Sequence, residues 1–201
     1  LRSIIHGAAA CPPQIKRDMI EAVGPIVTEY YGGTEGGFIS VISADEWLER
    51  PGSVGRPLPT MEVALLDDEG DPVPQGQPGQ VWFRNLMGGD FEYHNAPEKT
   101  AAAHRAGFGT LGDVGHLDEA GYLFLSGRTI DMIVSGGVNI YPAEIEAVLF
   151  GHPAIADVAV FAVPQAEMGE AVHAALAVAD GFEWGDELER DITAYCRGLL
   201  A

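Results

Sequence analysis

The chain has 201 residues, enough for one large domain or two small ones, and 47% of them are apolar, which suffices for a packed core. Its 30 acidic side chains against 11 basic ones give a net charge of −19. That excludes nucleic acid or an anionic membrane as the main partner, because both call for a basic surface.

No apolar run approaches the roughly 18–20 residues that span a bilayer, so no stable membrane insertion is expected. The opening LRSIIHG lacks a signal-peptide pattern and reads as the middle of a longer chain. Cys11 and Cys196 lie far apart without metal-ligand spacing, which suits a reducing, cytoplasmic setting. His6, His116 and His173 stand in apolar surroundings and are expected to be packed rather than metal-bound.

In chain order, SIIH (3–6) reads as a short buried strand. PQIKRDMIEAVG (13–24) places Ile15, Met19, Ile20 and Val23 on one helical face, with Gly24 as its stop. PIVTEY (25–30) is a second buried strand that runs into EYYGGTEGG (29–37). A strand–helix–strand unit ending in glycines suits an α/β sheet, where ligands gather at the carboxyl ends of strands. The glycine stretch has two readings: a tight surface turn, or clustered backbone donors that cradle a phosphate or carboxylate.

From 60 to 84, two alternating apolar segments around an acidic Pro/Gly turn signal antiparallel β-structure. PEKTAAAH (97–104) is a short helix with proline near its start. GDVGHLDEAGYLFLSG and DMIVSG supply short strands. YPAEIEAVLFG (141–151) is a helix with Ile145, Val148 and Leu149 on one face and Gly151 as terminator. AIADVAVFAVP and EAVHAALAVAD are strands, and DELERDITAYCRGLLA (186–201) is an amphipathic helix carrying Leu188, Ile192, Tyr195 and Leu199. The best boundary lies near Gly127–Asp131, between a β-rich first part and a compact α+β tail.

GDVGHLDEAGYLFLSGRTIDMIVSGGVNIYPAEIE (112–146) carries Gly112-Asp113 and, further on, Gly127-Arg128. An acceptor-only carboxylate and a fork of donors suit a pair of ribose hydroxyls. Taken singly, Asp113 also reads as a turn residue and Arg128 as a rim ion pair.

Three segments together, YYGGTE (30–35), GD (112–113) and GRTIDMIVSGGVNIYPAEIE (127–146), resemble the motifs of the adenylate-forming superfamily of acyl-CoA synthetases, nonribosomal-peptide adenylation domains and luciferases. The resemblance covers essentially the whole chain and is strongest to fatty-acyl and related carboxylate–CoA ligases. It implies a fold of mixed α/β and α+β class: residues 1–127 as the end of a large adenylation domain with a β-barrel-like subdomain, 128–131 as a hinge, and 132–201 as a small α+β domain. It implies that Gly7, Ala8 and Ala9 line an adenine slot and that Tyr31 stacks on the base beside Gly32. Thr34 then bonds the phosphates, Glu35 holds Mg²⁺, and Asp113 and Arg128 fix the ribose. Gly136 and Gly137, which also suit a plain turn, lie along the CoA path.

The implied substrates are a carboxylic acid, ATP and CoA. A carboxylate attacks the α-phosphate of ATP, and the CoA thiol then displaces AMP from the acyl-adenylate while the small domain rotates about the hinge. Departures from the pattern are Ile130 at the hinge position, with Asp131 as its neighbour, and Gly7-Ala8-Ala9-Ala10 in place of Gly-Gly-Ala-Pro. The chain has no lysine beyond Lys99 and no lysine-bearing phosphate loop. It is therefore expected to be part of a longer enzyme, inactive by itself and prone to form homo-oligomers. A non-catalytic nucleotide- or acyl-binding module, and an adenylation domain that delivers to a carrier protein, are the alternatives.

Overall fold

Three residues, Ile4–His6, form strand β1, and a parallel ladder ties them to β2 (Val27–Gly33) with helix α1 (Pro13–Val23) as the crossover. This computed structural model describes residues 1–200. Proline at the first position of α1 loses nothing, because its missing N–H is an orphan at any helix start. Strand β1 is less buried than its apolar sequence suggests. It lies at the edge of the sheet, and Ile5 is 68% exposed.

Helix α1 is also rolled away from the expected face. Lys16 and Ile20 are its buried residues, Met19 is partly buried, and Ile15 and Val23 are exposed. The cause lies on β2, where Glu29 turns a carboxylate inward. The Lys16 ammonium pairs with it and stands 4.7 Å over the Trp47 ring. A buried cation without a partner is strongly destabilising, so this pair sets the roll of the helix.

Chain β2 folds back on β3 (Gly37–Ser43), a strand absent from the sequence reading, as are α2 (Ala44–Glu49) and β4 (Ser53–Pro57). Ser43 and Glu46 cap α2 reciprocally, each side chain bonding the other's backbone N–H. The expected antiparallel pair follows as β5 (Met61–Leu66) and β6 (Gly79–Asn85), then the short helix α3 (Pro97–Ala102). Next come β7 (His104–Arg105), β8 (Phe108–Leu117) and β9 (Leu123–Arg128). The sheet order is β1-β2-β3-β4-β9-β8-β6-β5, with β7 beside β8. One core cluster joins Tyr31, Ile39, Met61, Val81, Phe83 and Leu123, and another joins Ile20, Val27, Ile42, Trp47 and Tyr122.

The chain divides into two compact units, Leu1–Thr129 and the residues from Ile130 on, with a 3-10 turn at Thr129–Asp131 where they meet in sequence. The second unit begins with the hairpin β10 (Ile133–Ser135) and β11 (Val138–Ile140), followed by α4 (Pro142–Leu149). Strands β12 (Ile155–Gln165) and β13 (Gly169–Val178) and helix α5 (Asp186–Leu199) complete it. Its sheet runs β11-β10-β13-β12, and Ile133, Leu149, Ile155, Val160 and Ile192 form its core. The architecture is therefore mixed α/β and α+β. Of the three histidines expected to be packed, His6 and His116 are half-buried, and His116 stacks on Phe124; His173 is exposed, against the Phe161 ring.

Candidate functional site

Strand β2 extends through the first two glycines. Tyr31 pairs with Ser40, Gly32 with Phe38 and Gly33 with Gly37, leaving only Thr34, Glu35 and Gly36 in the turn. EYYGGTEGG is thus a hairpin that displays Thr34 and Glu35 at its tip. Gly32 is needed there because a β-carbon would collide with the Gly37 carbonyl oxygen across the ladder.

Asp113 and Arg128 face each other as a pair of the β8–β9 ladder. Arg128 Nε lies 3.3 Å from Asp113 Oδ1, and the Tyr31 hydroxyl donates to Asp113 Oδ2 at 2.8 Å. Asp113 is buried, whereas the Arg128 side chain is 61% exposed, so most of its donor fork faces outward. Burial pushes the Asp113 carboxyl above its ordinary range, and the bond from Tyr31 and the charge of Arg128 oppose that. Burial and the neighbouring carboxylate raise the Tyr31 hydroxyl, so it stays a protonated donor.

The hairpin tip and this pair lie at the same place. Tyr31 is three residues before Thr34, and a β-carbon on Gly33 would stand 3.1 Å from Glu35 Oε2 and 3.3 Å from the side chain of Leu111, two residues before Asp113. Thr34, Glu35, Asp113 and Arg128 therefore converge.

Glu35 is half-buried. Its Oε2 accepts from the Thr34 hydroxyl at 3.0 Å and its Oε1 from the Tyr93 hydroxyl at 3.1 Å. Burial works against its ionisation, but its own backbone amide, the two hydroxyls and the charge of Lys99 outweigh that and hold the carboxyl below its ordinary range. A cavity of about 500 Å³ opens beside it, floored by Phe83 and Phe91 and widened by Gly36 and Gly109. Among the described residues no group of three or more His, Cys, Asp or Glu side chains forms a metal cluster. A lone ionised carboxylate fits Mg²⁺, which keeps several waters and is held by one or two carboxylates together with substrate phosphates.

Other expected site residues stand less directly. Gly7 lies under the Tyr30 ring, where a β-carbon would clash, and Tyr30 in turn packs on Phe38 at 4.2 Å. Ala8 is left-handed at φ 70°, a conformation that costs an alanine about 1 kcal/mol, and Ala9 follows it in the same β1–α1 loop. Tyr31 belongs to the core and is only 8% exposed. Ile130 is 87% exposed, and Asp131 beside it is exposed too. Gly136 and Gly137 form the β10–β11 turn with φ of 58° and 83°, and a two-residue hairpin turn of that kind accounts for both.

Two residues near Glu35 escaped the sequence reading: Tyr93, and Lys99, whose Nζ stands 3.9 Å over the Tyr93 ring. The segment EYHNAPEKT (92–100) that carries them reads only as a helix start. Nothing in the pattern points to the hairpin 58 residues upstream in the chain.

Two family models match the chain: AMP-binding enzyme over residues 1–88 and AMP-binding enzyme C-terminal domain over residues 144–201. A medium/long-chain fatty-acid–CoA ligase of Mycobacterium tuberculosis is 38% identical over 87% of this chain and 31% of its own length. A long-chain fatty-acid–CoA ligase of Bacillus subtilis is 32% identical over all of this chain (100%) and 35% of its own length. Among solved structures, an amide bond synthetase from Marinactinospora thermotolerans superposes at TM-score 0.90 with 37% identity, over 99% of this chain and 40% of that one. The o-succinylbenzoate CoA synthetase of Bacillus subtilis, in complex with its acyl-adenylate intermediate, superposes at 0.84 with 31% identity, over 100% and 40% of the two chains. The chain thus spans about a third of the length of these curated relatives, 31% and 35%.

Proposed function

The chain belongs to the AMP-binding enzyme family, and we propose that it serves an ATP-dependent acid–thiol ligase. In this reading it activates a carboxylic acid, a fatty acid by preference, as acyl-AMP and passes the acyl group to CoA. The observation that carries the reading is the convergence of the Thr34–Glu35 tip with Tyr31, Asp113 and Arg128 at one place on one sheet.

In the first half-reaction a carboxylate oxygen attacks the α-phosphorus of ATP and pyrophosphate leaves; in the second the CoA sulfur attacks the acyl carbon and AMP leaves. Such chemistry depends on positioning and on neutralising phosphate charge. Asp113 accepts from a ribose hydroxyl and the outward fork of Arg128 donates to the ribose oxygens. The Thr34 hydroxyl, which donates to Glu35 Oε2, would turn its one proton to a phosphate oxygen when ATP binds. Glu35 would hold Mg²⁺, whose charge offsets that of the phosphates. Gly7, Ala8, Ala9 and Gly32 flank the base beside Tyr31, which Asp113 locks in place, Gly7 by admitting the Tyr30 ring and Gly32 by admitting the Gly37 carbonyl. The strained Ala8 supports a working role for that loop, since such backbone persists where its surroundings over-determine it.

Residues 1–127 then belong to the large adenylation domain, 128–131 to the hinge and 132–201 to the small domain. The exposure of Ile130 supports the hinge, because its dihedrals change without loss of packing. The assignment of Gly136 and Gly137 to the CoA path rests on resemblance alone. A cytoplasmic location agrees with two free cysteines, and among the described residues no helix is long and apolar enough to cross a membrane. Exposed Ile5 and Ile15 favour self-association of the chain, which sedimentation velocity reads out.

The 201 residues alone should bind AMP yet not exchange pyrophosphate into ATP. Lys16 is consumed by Glu29, which leaves Lys99 as the one lysine near the proposed phosphates. Calorimetric titration with AMP tests the reading, with Asp113→Asn expected to weaken binding at least tenfold. Absence of AMP binding, or a variant that binds as the parent does, overturns it.

One observation favours a second acceptor. The similarity to an amide bond synthetase is as high as that to the CoA ligases, so an amine rather than a thiol is the alternative nucleophile. Offering the longer enzyme its acid and ATP with CoA, a carrier-protein thiol or an amine separates these. No turnover with any of the three favours a non-catalytic module.

A further inference from the structure

The Glu35 carboxylate is gripped on both oxygens, Thr34 on Oε2 and Tyr93 on Oε1. Thr34 is its chain neighbour, whereas Tyr93 arrives from a different segment. That segment is built to hold Tyr93 still. The Tyr93 N–H donates to Thr100 Oγ1 at 2.9 Å, and its carbonyl accepts from the Ala96 N–H at 3.1 Å. Phe91 meets its ring edge-on at 5.5 Å, and Lys99 caps the ring face at 3.9 Å. Beneath them, His104 bridges the Thr100 carbonyl and Asp90 Oδ1, each at 2.7 Å, and packs on Phe91 at 4.5 Å. The ring of Tyr93 is thus held by backbone, aromatic and cationic contacts at once, while its hydroxyl has Glu35 as its partner.

We propose that Tyr93, backed by Lys99, is the positioning residue for the Glu35 carboxylate, fixing its plane so that its remaining lone pairs point toward a divalent cation carried by a nucleotide. The inference rests on the reading of Glu35 as the metal carboxylate. With the one Thr34 proton turned to a phosphate, the Tyr93 hydroxyl on Oε1 is what still limits rotation of the carboxylate about its last bond. The two oxygens together offer about four lone-pair sites, and the Tyr93 hydroxyl and the Glu35 backbone amide take about two, so about two remain for the metal and its waters. The Lys99 cation over the ring face holds the phenol in place by electrostatic attraction to the ring. Hydrogen bonds that orient a metal-binding carboxylate commonly carry about 10- to 100-fold in metal affinity.

The test uses the 201-residue protein with Mn²⁺ as the probe, its binding in the presence of ATP read by electron paramagnetic resonance, and ATP binding without metal read by calorimetry. Tyr93→Phe keeps the ring, its stacking on Phe91 and the Lys99 contact and removes only the hydroxyl. It should weaken Mn²⁺ binding with ATP about tenfold and leave metal-free ATP affinity unchanged, a split that a general loosening of the fold does not produce. Lys99→Gln should move the same quantity in the same direction by a smaller factor. If Glu35→Ala weakens Mn²⁺ binding and Tyr93→Phe binds like the parent, the positioning role is overturned while the metal reading stands. If Glu35→Ala binds Mn²⁺ with ATP like the parent, both fall.

Discussion

Asp113 reaches the site from within a ten-residue strand, Phe108–Leu117, whereas Glu35 rides on a three-residue turn at the tip of a hairpin. The first is buried and placed by ladder register, with Arg128 opposite it and the Tyr31 hydroxyl on its second oxygen. The second is half-exposed and placed by side chains: its neighbour Thr34 and the distant Tyr93. The Asp113 end is thus part of what folds the unit, while the Glu35 end is added to an already folded edge. Substitutions should therefore cost stability at one end and only function at the other.

The hairpin common to both ends gives the largest effect. Gly32→Ala drives a methyl into the Gly37 carbonyl oxygen, which is backbone and cannot turn aside. It should cost about 3 kcal/mol in urea denaturation and disturb both ends together. Asp113→Ala comes next. It leaves the buried Tyr31 hydroxyl without its acceptor, an expected loss of about 2 kcal/mol by the same measurement, and a loss below ~0.5 kcal/mol would contradict the structural half of the contrast.

His104, beneath Tyr93, links the Glu35 end to pH. The Thr100 carbonyl and the Asp90 carboxylate raise its imidazole above the ordinary 6.5, with burial opposing them. Its contribution is complete below pH 6.5 and is lost as pH climbs through the folded-state value. Asp90 is largely exposed, so the contribution is about 0.5 kcal/mol, and His104→Gln should abolish that loss of stability as pH rises above 6.5. The smallest change is expected for Glu35→Ala. Stability should stay within about 0.5 kcal/mol of the parent, although the same variant is expected to lose metal-assisted nucleotide binding.

Much of the fold was legible because its elements announce themselves locally. Pro13 and Gly24 bracket α1, Pro142 opens α4, and the spacing of Leu188 and Ile192 marks α5. Strands β3 and β4 were not legible. GFISVIS directly follows the glycine turn and SVGRP is short, so neither stands apart from its surroundings without knowledge of its ladder partners. The face of α1 was misjudged for the same reason: a 3.6-residue period locates an apolar stripe, but a charge on another element turned Lys16 inward.

At the candidate site, Thr34, Glu35, Asp113 and Arg128 could be named from residue type and order along the chain. Glycines flanking a Thr-Glu pair and an Asp followed at a distance by Gly-Arg are patterns written in one dimension. What tertiary structure alone decided is how those groups are held: Tyr31 bound to Asp113, Lys16 spent on Glu29, and Tyr93 reaching back to Glu35 with Lys99 behind it. The reason is physical. Local propensity and periodicity depend on neighbours a few residues away, whereas these hydrogen bonds and ion pairs join residues brought together by sheet register and burial, and neither is a property of any short stretch of sequence.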